Sequence, residues 1–138
     1  MKHAVDLAWK ENMAFATEID GHVLQLDASE EFGGNDTGMR PKKLMLASLA
    51  GCTAMDVVSL LKKMRINFDT FHVIVEGDLT EEHPKKYHSM NIIYQLTGAD
   101  IPRDKVEKAV SLSKDKYCGV SAAYKDSIEL SFEIRINE

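Results

Sequence analysis

Residues 44–61 form an apolar run interrupted by five side chains that are polar or reactive, Ser48, Cys52, Thr53, Asp56 and Ser59. Set on a helix at about 100° per residue, Ser48, Cys52, Asp56 and Ser59 fall within an arc of roughly 80°, and Lys63 extends the same stripe. Apart from Thr53, the rest of the helix is Leu, Met, Val, Ala and Gly, so most of its circumference calls for burial against other elements. Arg40, Lys42 and Lys43 precede the run, and its length invites comparison with a membrane span. Asp56 near a bilayer centre would cost several kcal/mol, and the remainder of the chain reads as strands and amphipathic helix. The expectation is a core helix, with no membrane as partner.

Pro41 suits a first helical turn, giving a helix over 41–64. Before it, Val5, Leu7 and Trp9 alternate with polar or small neighbours, as do Met13, Phe15, Thr17 and Ile19. Asp20-Gly21 then signals a tight turn into 22–28, so the opening is a β-meander followed by a Gly-rich loop over 29–38. Phe71, Val73 and Val75 open a second alternating stretch, which resumes over 87–97 after a charged connection around Pro84. Asp100 can cap a helix with Pro102 and Asp104 in its first turn and Val106, Ala109, Val110 and Leu112 on its apolar face, running to about Lys116. Ile128, Leu130, Phe132, Ile134 and Ile136 form a closing strand. The order βββ–α–ββ–α–β defines an α+β fold. The 138 residues fit one domain, 1–138, able to bury about two-thirds of its unfolded surface. So short a chain has little material to cover a helix apolar on most sides, and an intertwined homodimer is expected to supply the cover.

The net charge is −5, and Lys and Arg are scattered among Asp and Glu without the basic stripe that tracks phosphates; nucleic acid is excluded as a partner. The opening residues Met1-Lys2-His3-Ala4 carry no signal-peptide pattern, which points to the cytoplasm, where paired thiols are more often catalytic or redox-active than structural. His3, His22, His72, His83 and His88 share no ligand spacing with one another or with the cysteines, so neither a metal nor another cofactor is expected.

Cys52 and Cys118 are the two cysteines. A free cysteine is most often a small buried hydrophobe, but Cys52 lies on the polar stripe. It sits about three turns into its helix, beyond the first turn where the macrodipole acts, and Asp56, one turn on, opposes its ionisation. Arg40, Lys42, Lys43, Lys63 or a residue of a second subunit would have to favour the thiolate. Cys118 follows Lys114 and Lys116, and Gly119-Val120-Ser121 can begin a short helical turn. Docked beside Cys52, that turn would permit a reversible disulfide, which needs Cα atoms about 4.4–6.8 Å apart.

Gly38-Met39-Arg40-Pro41-Lys42-Lys43-Leu44, followed by Leu46-Ala47-Ser48-Leu49-Ala50-Gly51-Cys52-Thr53-Ala54-Met55-Asp56, resembles the first-cysteine motif of the OsmC/Ohr family of organic hydroperoxide reductases. Tyr117-Cys118-Gly119-Val120-Ser121 resembles the second, and the element order matches along the whole chain. The resemblance implies that Cys52 is the peroxidatic thiolate of a thiol peroxidase acting in the oxidative stress response, that Cys118 resolves its sulfenic acid to a disulfide, and that an external dithiol reduces the pair. Apolar walls around Cys52 would suit an organic hydroperoxide. Well-characterised members carry a Glu directly after the motif proline, paired with an Arg from the N-terminal strands. Here Lys42 takes that place and residues 1–39 contain no arginine, leaving Arg40 or Lys42 to support the thiolate, with Asp56 beside them as a candidate site residue. The rival reading is a non-catalytic module of the same fold that binds a small apolar or thiol-bearing ligand.

Overall fold

A computed structural model describes all 138 residues. The chain divides into two compact units, 1–45 and 46–138, with the boundary inside the long helix α1 (Pro41–Lys63).

The first unit is the expected meander. Strands β1 (Ala8–Glu11), β2 (Ala14–Ile19) and β3 (His22–Leu26) pair antiparallel in that order, with Phe15 opposite both Trp9 and Leu26. Asp20 and Gly21 both take positive φ, 50° and 82°, the combination a two-residue hairpin turn requires. The first strand is shorter than the alternation from Val5 suggested: regular pairing begins at Ala8. In the loop that follows β3, the buried Asp27 carboxylate accepts hydrogen bonds from the backbone N–H groups of Ala28 (2.7 Å), Asn35 (3.2 Å) and Thr37 (3.0 Å) and from the Thr37 hydroxyl (2.7 Å). Those donors, the Thr37 hydroxyl foremost, hold the Asp27 carboxyl at about 2. Gly34 closes the same loop so tightly that a Cβ there would meet the Ala28 carbonyl. Apolar side chains are left in solvent: Trp9 is 65% exposed, Phe32 73% and Val23 76%.

The second unit holds most of α1 and a three-stranded sheet ordered β4 (Thr70–Leu79), β5 (Tyr87–Thr97) and β6 (Glu129–Ile136). Strands β4 and β5 form the expected hairpin, and β6 joins the other side of β5 in parallel, with Ile92 between Val75 and Phe132. A parallel pair needs a crossover, provided here by the two helices between the strands, α2 (Arg103–Leu112) and α3 (Gly119–Tyr124). Central β5 is covered on both faces: Met90, Ile92, Ile93, Tyr94 and Leu96 are each at most 2% exposed. Gly77 on β4 carries no side chain because a Cβ would lie 2.7 Å from the Tyr87 ring and 2.9 Å from Leu46 Cδ2.

Three further details depart from the sequence reading. Asp100 caps nothing; it adopts a positive φ of 56°, and Pro102 occupies the capping position of α2. The predicted helix to Lys116 ends as regular α structure at Leu112 and passes through a π turn, Ser113–Tyr117, before α3. Burial of α1 is confined to one stripe, Leu49, Thr53, Val57 and Leu61, while Met55 is 75% exposed. Four-residue spacing presents a single face, and one sheet covers no more than that. The helix is long and apolar enough to cross a membrane by length and composition alone.

Candidate active site

Positions 52 and 118, 66 residues apart in sequence, meet in the second unit. The two sulfurs and a carboxylate oxygen of Asp56 all lie within 4.8 Å of one another, and both cysteines are free thiols. Cys52 and Asp56 reach this point from successive turns of α1. Cys118 arrives from the junction between the π turn and α3. There it takes an extended conformation (φ −78°, ψ 101°) and caps α3, its Sγ accepting from Ser121 N–H at 3.4 Å while Ser121 Oγ donates to the Cys118 carbonyl at 3.1 Å. The Cys118 N–H donates to the Ser113 carbonyl at 2.7 Å, tying the cap back to the π turn. Cys118 is buried and Cys52 half-buried.

Burial pushes the Cys52 thiol above its ordinary range, a donated hydrogen bond from the Val120 backbone N–H opposes this, and the neighbouring Cys118 and the Asp56 charge push it further up. Replacing Asp56 by asparagine removes one of the terms that disfavour the thiolate. In a Cys118→Ser background, Asp56→Asn is therefore expected to raise the rate of Cys52 with a disulfide reagent at neutral pH a few-fold, because the thiol falls back toward its ordinary value and more of it is ionised. Stopped-flow measurement of an unchanged or slower rate would show that the sulfur does not feel this carboxylate.

Behind the sulfurs runs a chain of buried hydroxyls. Ser113 Oγ donates to Asp56 Oδ2 at 2.9 Å, Thr53 Oγ1 lies 2.8 Å from Ser113 Oγ, and Tyr94 Oη lies 2.7 Å from Thr53 Oγ1. Each hydroxyl has one proton to give, so once Ser113 donates to Asp56 the sequence of donors runs from Tyr94 through Thr53 and Ser113 to the carboxylate. Thr53, Ser113 and Tyr94 are all buried. None of the three was singled out by sequence; the available signal was Thr53, the one polar residue off the helix stripe, which needed a partner if buried.

The remaining candidates lie as follows. Arg40 places Nη1 2.7 Å from Asp36 Oδ1 and donates to the Gly38 carbonyl at 2.9 Å, bracing its own loop. Lys42 is exposed in the first turn of α1. Lys63, on the polar stripe, lines a cleft of about 150 Å³ together with Asp56, Ser59, Leu60 and Tyr117. His72 and His88 are exposed on their strands.

The chain has known relatives. Protein YhfA of Escherichia coli K12 is 29% identical over 129 residues, 93% of either chain. A crystallised hypothetical protein from Aquifex aeolicus VF5 is 28% identical and superposes with a TM-score of 0.86 over 99% of this chain and 98% of its own. An organic hydroperoxide resistance protein from Elizabethkingia anophelis shares the fold at 17% identity, with a TM-score of 0.67 and 99% of both chains covered. The sequence profile of the OsmC-like proteins matches residues 33–133. That span includes both cysteine segments and the α1, β4, β5, α2 and α3 elements that bring them together, and it establishes that the chain belongs to the OsmC-like protein family.

Proposed function

We propose that this protein is a thiol-dependent reductase of small organic hydroperoxides that acts in the oxidative stress response of the cytoplasm, with Cys52 attacking and Cys118 resolving. The observation that carries the reading is the approach of the two sulfurs to within 4.8 Å. In the first step the Cys52 thiolate attacks the terminal oxygen of the hydroperoxide. The O–O bond breaks, Cys52 becomes a sulfenic acid, and the alkoxide takes a proton to leave as an alcohol. The Cys118 thiol then displaces hydroxide from the sulfenic sulfur, giving a disulfide and water, and an external dithiol returns both thiols at the cost of its own oxidation. The description of the Elizabethkingia anophelis protein as one of organic hydroperoxide resistance is consistent with this reading.

Treating the reduced chain with one equivalent of an organic hydroperoxide is expected to remove two hydrogens and to link the peptides carrying Cys52 and Cys118, as read by mass spectrometry without reduction. If the wild type consumes no hydroperoxide with any of several dithiols, the reading fails and the ligand-binding alternative takes its place.

A homodimer belongs to the same proposal. In the second unit the exposed side of α1 around Ala54, Met55 and Val58, and in the first unit the exposed Trp9, Val23 and Phe32, are apolar surfaces that a second copy would cover. It would also be a source of the cationic group that the Cys52 thiolate calls for. Light scattering at micromolar concentration should give twice the 15.5 kDa chain mass; a stable monomer would contradict this part.

A further inference from the structure

We propose that the reduced protein binds one thiophilic dication of the Zn²⁺ class through Cys52, Cys118 and Asp56. The expectation of no metal site considered histidine spacing; the fold instead converges two sulfurs and a carboxylate oxygen, all within 4.8 Å of one another. Two Zn–S bonds of about 2.3 Å at a tetrahedral angle set the sulfurs about 3.8 Å apart, so the two sulfurs stand at most about one ångström beyond that separation. The donor set selects the metal: two soft thiolates favour zinc over Mg²⁺ and Ca²⁺, which take oxygen ligands.

Each ligand side chain already has an outer contact of the kind that ligands of metal sites require. Ser121 N–H donates to Cys118 Sγ at 3.4 Å, Val120 N–H donates to Cys52 Sγ, and Ser113 Oγ donates to Asp56 Oδ2 at 2.9 Å. These donors orient the ligands while leaving lone pairs on all three atoms for a cation. Half-buried Cys52 keeps one side of the cluster reachable from solvent, where water would complete four-coordination. Binding displaces the two thiol protons and opposes charges that otherwise repel. Because the metal and a disulfide use the same sulfurs, the site exists in the reduced protein only, and a bound ion withholds Cys52 from any electrophile. The inference does not depend on peroxide turnover; the thiols can hold a dication whether or not they reduce hydroperoxides.

The test uses the reduced full chain under anaerobic conditions. Competition with a chromophoric chelator is expected to show one Zn²⁺ per chain, unaffected by excess Mg²⁺, and Cd²⁺ should give the ultraviolet sulfur-to-metal band of two thiolates. Cys52→Ser and Cys118→Ser should each about halve that band and weaken binding at least tenfold, while Asp56→Asn should keep the band and weaken Zn²⁺ binding roughly tenfold. No uptake by the reduced wild type, uptake unaltered in Cys52→Ser, or wild-type affinity in Asp56→Asn would each overturn the assignment. Since Cys118 is buried, failure of Cys118→Ser to fold would leave the half-buried Cys52→Ser and the near-isosteric Asp56→Asn to decide it.

Discussion

Cys52→Ser is expected to abolish hydroperoxide consumption, whereas Cys118→Ser is expected to support a single turnover that stops at a sulfenic acid on Cys52. The asymmetry follows from position. Cys118 is 3% exposed and held by the turn it caps, while Cys52 is half-buried and so the more accessible of the two. A serine hydroxyl at position 52 is too weak a nucleophile toward an O–O bond, and its pKa lies far above that of any thiol, so loss of consumption should be complete within detection. With Cys118 replaced, the first step keeps its nucleophile, but the sulfenic acid has no thiol within the chain to condense with. A dithiol-coupled assay with an organic hydroperoxide measures the first outcome; trapping with a sulfenic-acid-specific dione, followed by mass spectrometry, measures the second. Consumption retained by Cys52→Ser, or a trapped adduct on Cys118 in the wild type, would reverse the roles or remove them.

How much of this was readable before folding depends on the range of each interaction. The meander, the long helix and the β4–β5 hairpin follow from local signals: alternation, the Asp20-Gly21 turn and Pro41 at the start of α1. Gly119-Val120-Ser121 can begin a short helical turn, and α3 begins there, but the Cys118 cap and the run to Tyr124 come only from the structure. Local reading failed where geometry is set from afar. Asp100 has a capping side chain but takes a left-handed backbone, and the stretch after Leu112 has the composition to continue its helix yet widens into a π turn. That turn puts Ser113 against Thr53 and Asp56 and swings Cys118 toward Cys52, a frequent use of such turns at functional sites. The stripe on α1 correctly marked Cys52 and Asp56 as neighbours. It could not show that Thr53, one position off the stripe, is buried and carries the hydroxyl chain, since its partners Tyr94 and Ser113 are 41 and 60 residues away. Arg40 shows the opposite limit: a cation beside a cysteine motif in sequence is occupied by Asp36 and the Gly38 carbonyl.

Tyr94 is expected to make the fold sensitive to alkali in a way that one substitution removes. Its ring is fully buried, and burial, with smaller contributions from the charges of Cys118 and Asp56 and partial relief from the hydrogen bond with Thr53, pushes the phenol from 10.0 to about 12. In the unfolded chain the same phenol titrates near its ordinary value of about 10. The folded state thus holds its proton more tightly, so the associated stability is fully present below about pH 10 and is lost as pH rises through about 12. At 1.36 kcal/mol per pH unit the loss amounts to roughly 3 kcal/mol, a large share of the 5–15 kcal/mol typical of a domain. Tyr94→Phe keeps the ring in the core but leaves Thr53 without that partner, which should cost about 1–2 kcal/mol at neutral pH. In exchange, the variant has no phenol at position 94 to ionise. Urea unfolding of both chains at several values between about pH 8 and 12 should show the wild-type advantage shrinking and then reversing across the upper part of that range. Contributions common to both chains cancel in the difference. Parallel decline of the two curves would mean that Tyr94 opens to solvent before it ionises, and the hydroxyl chain behind the sulfurs would then be a mobile contact instead of a fixed one.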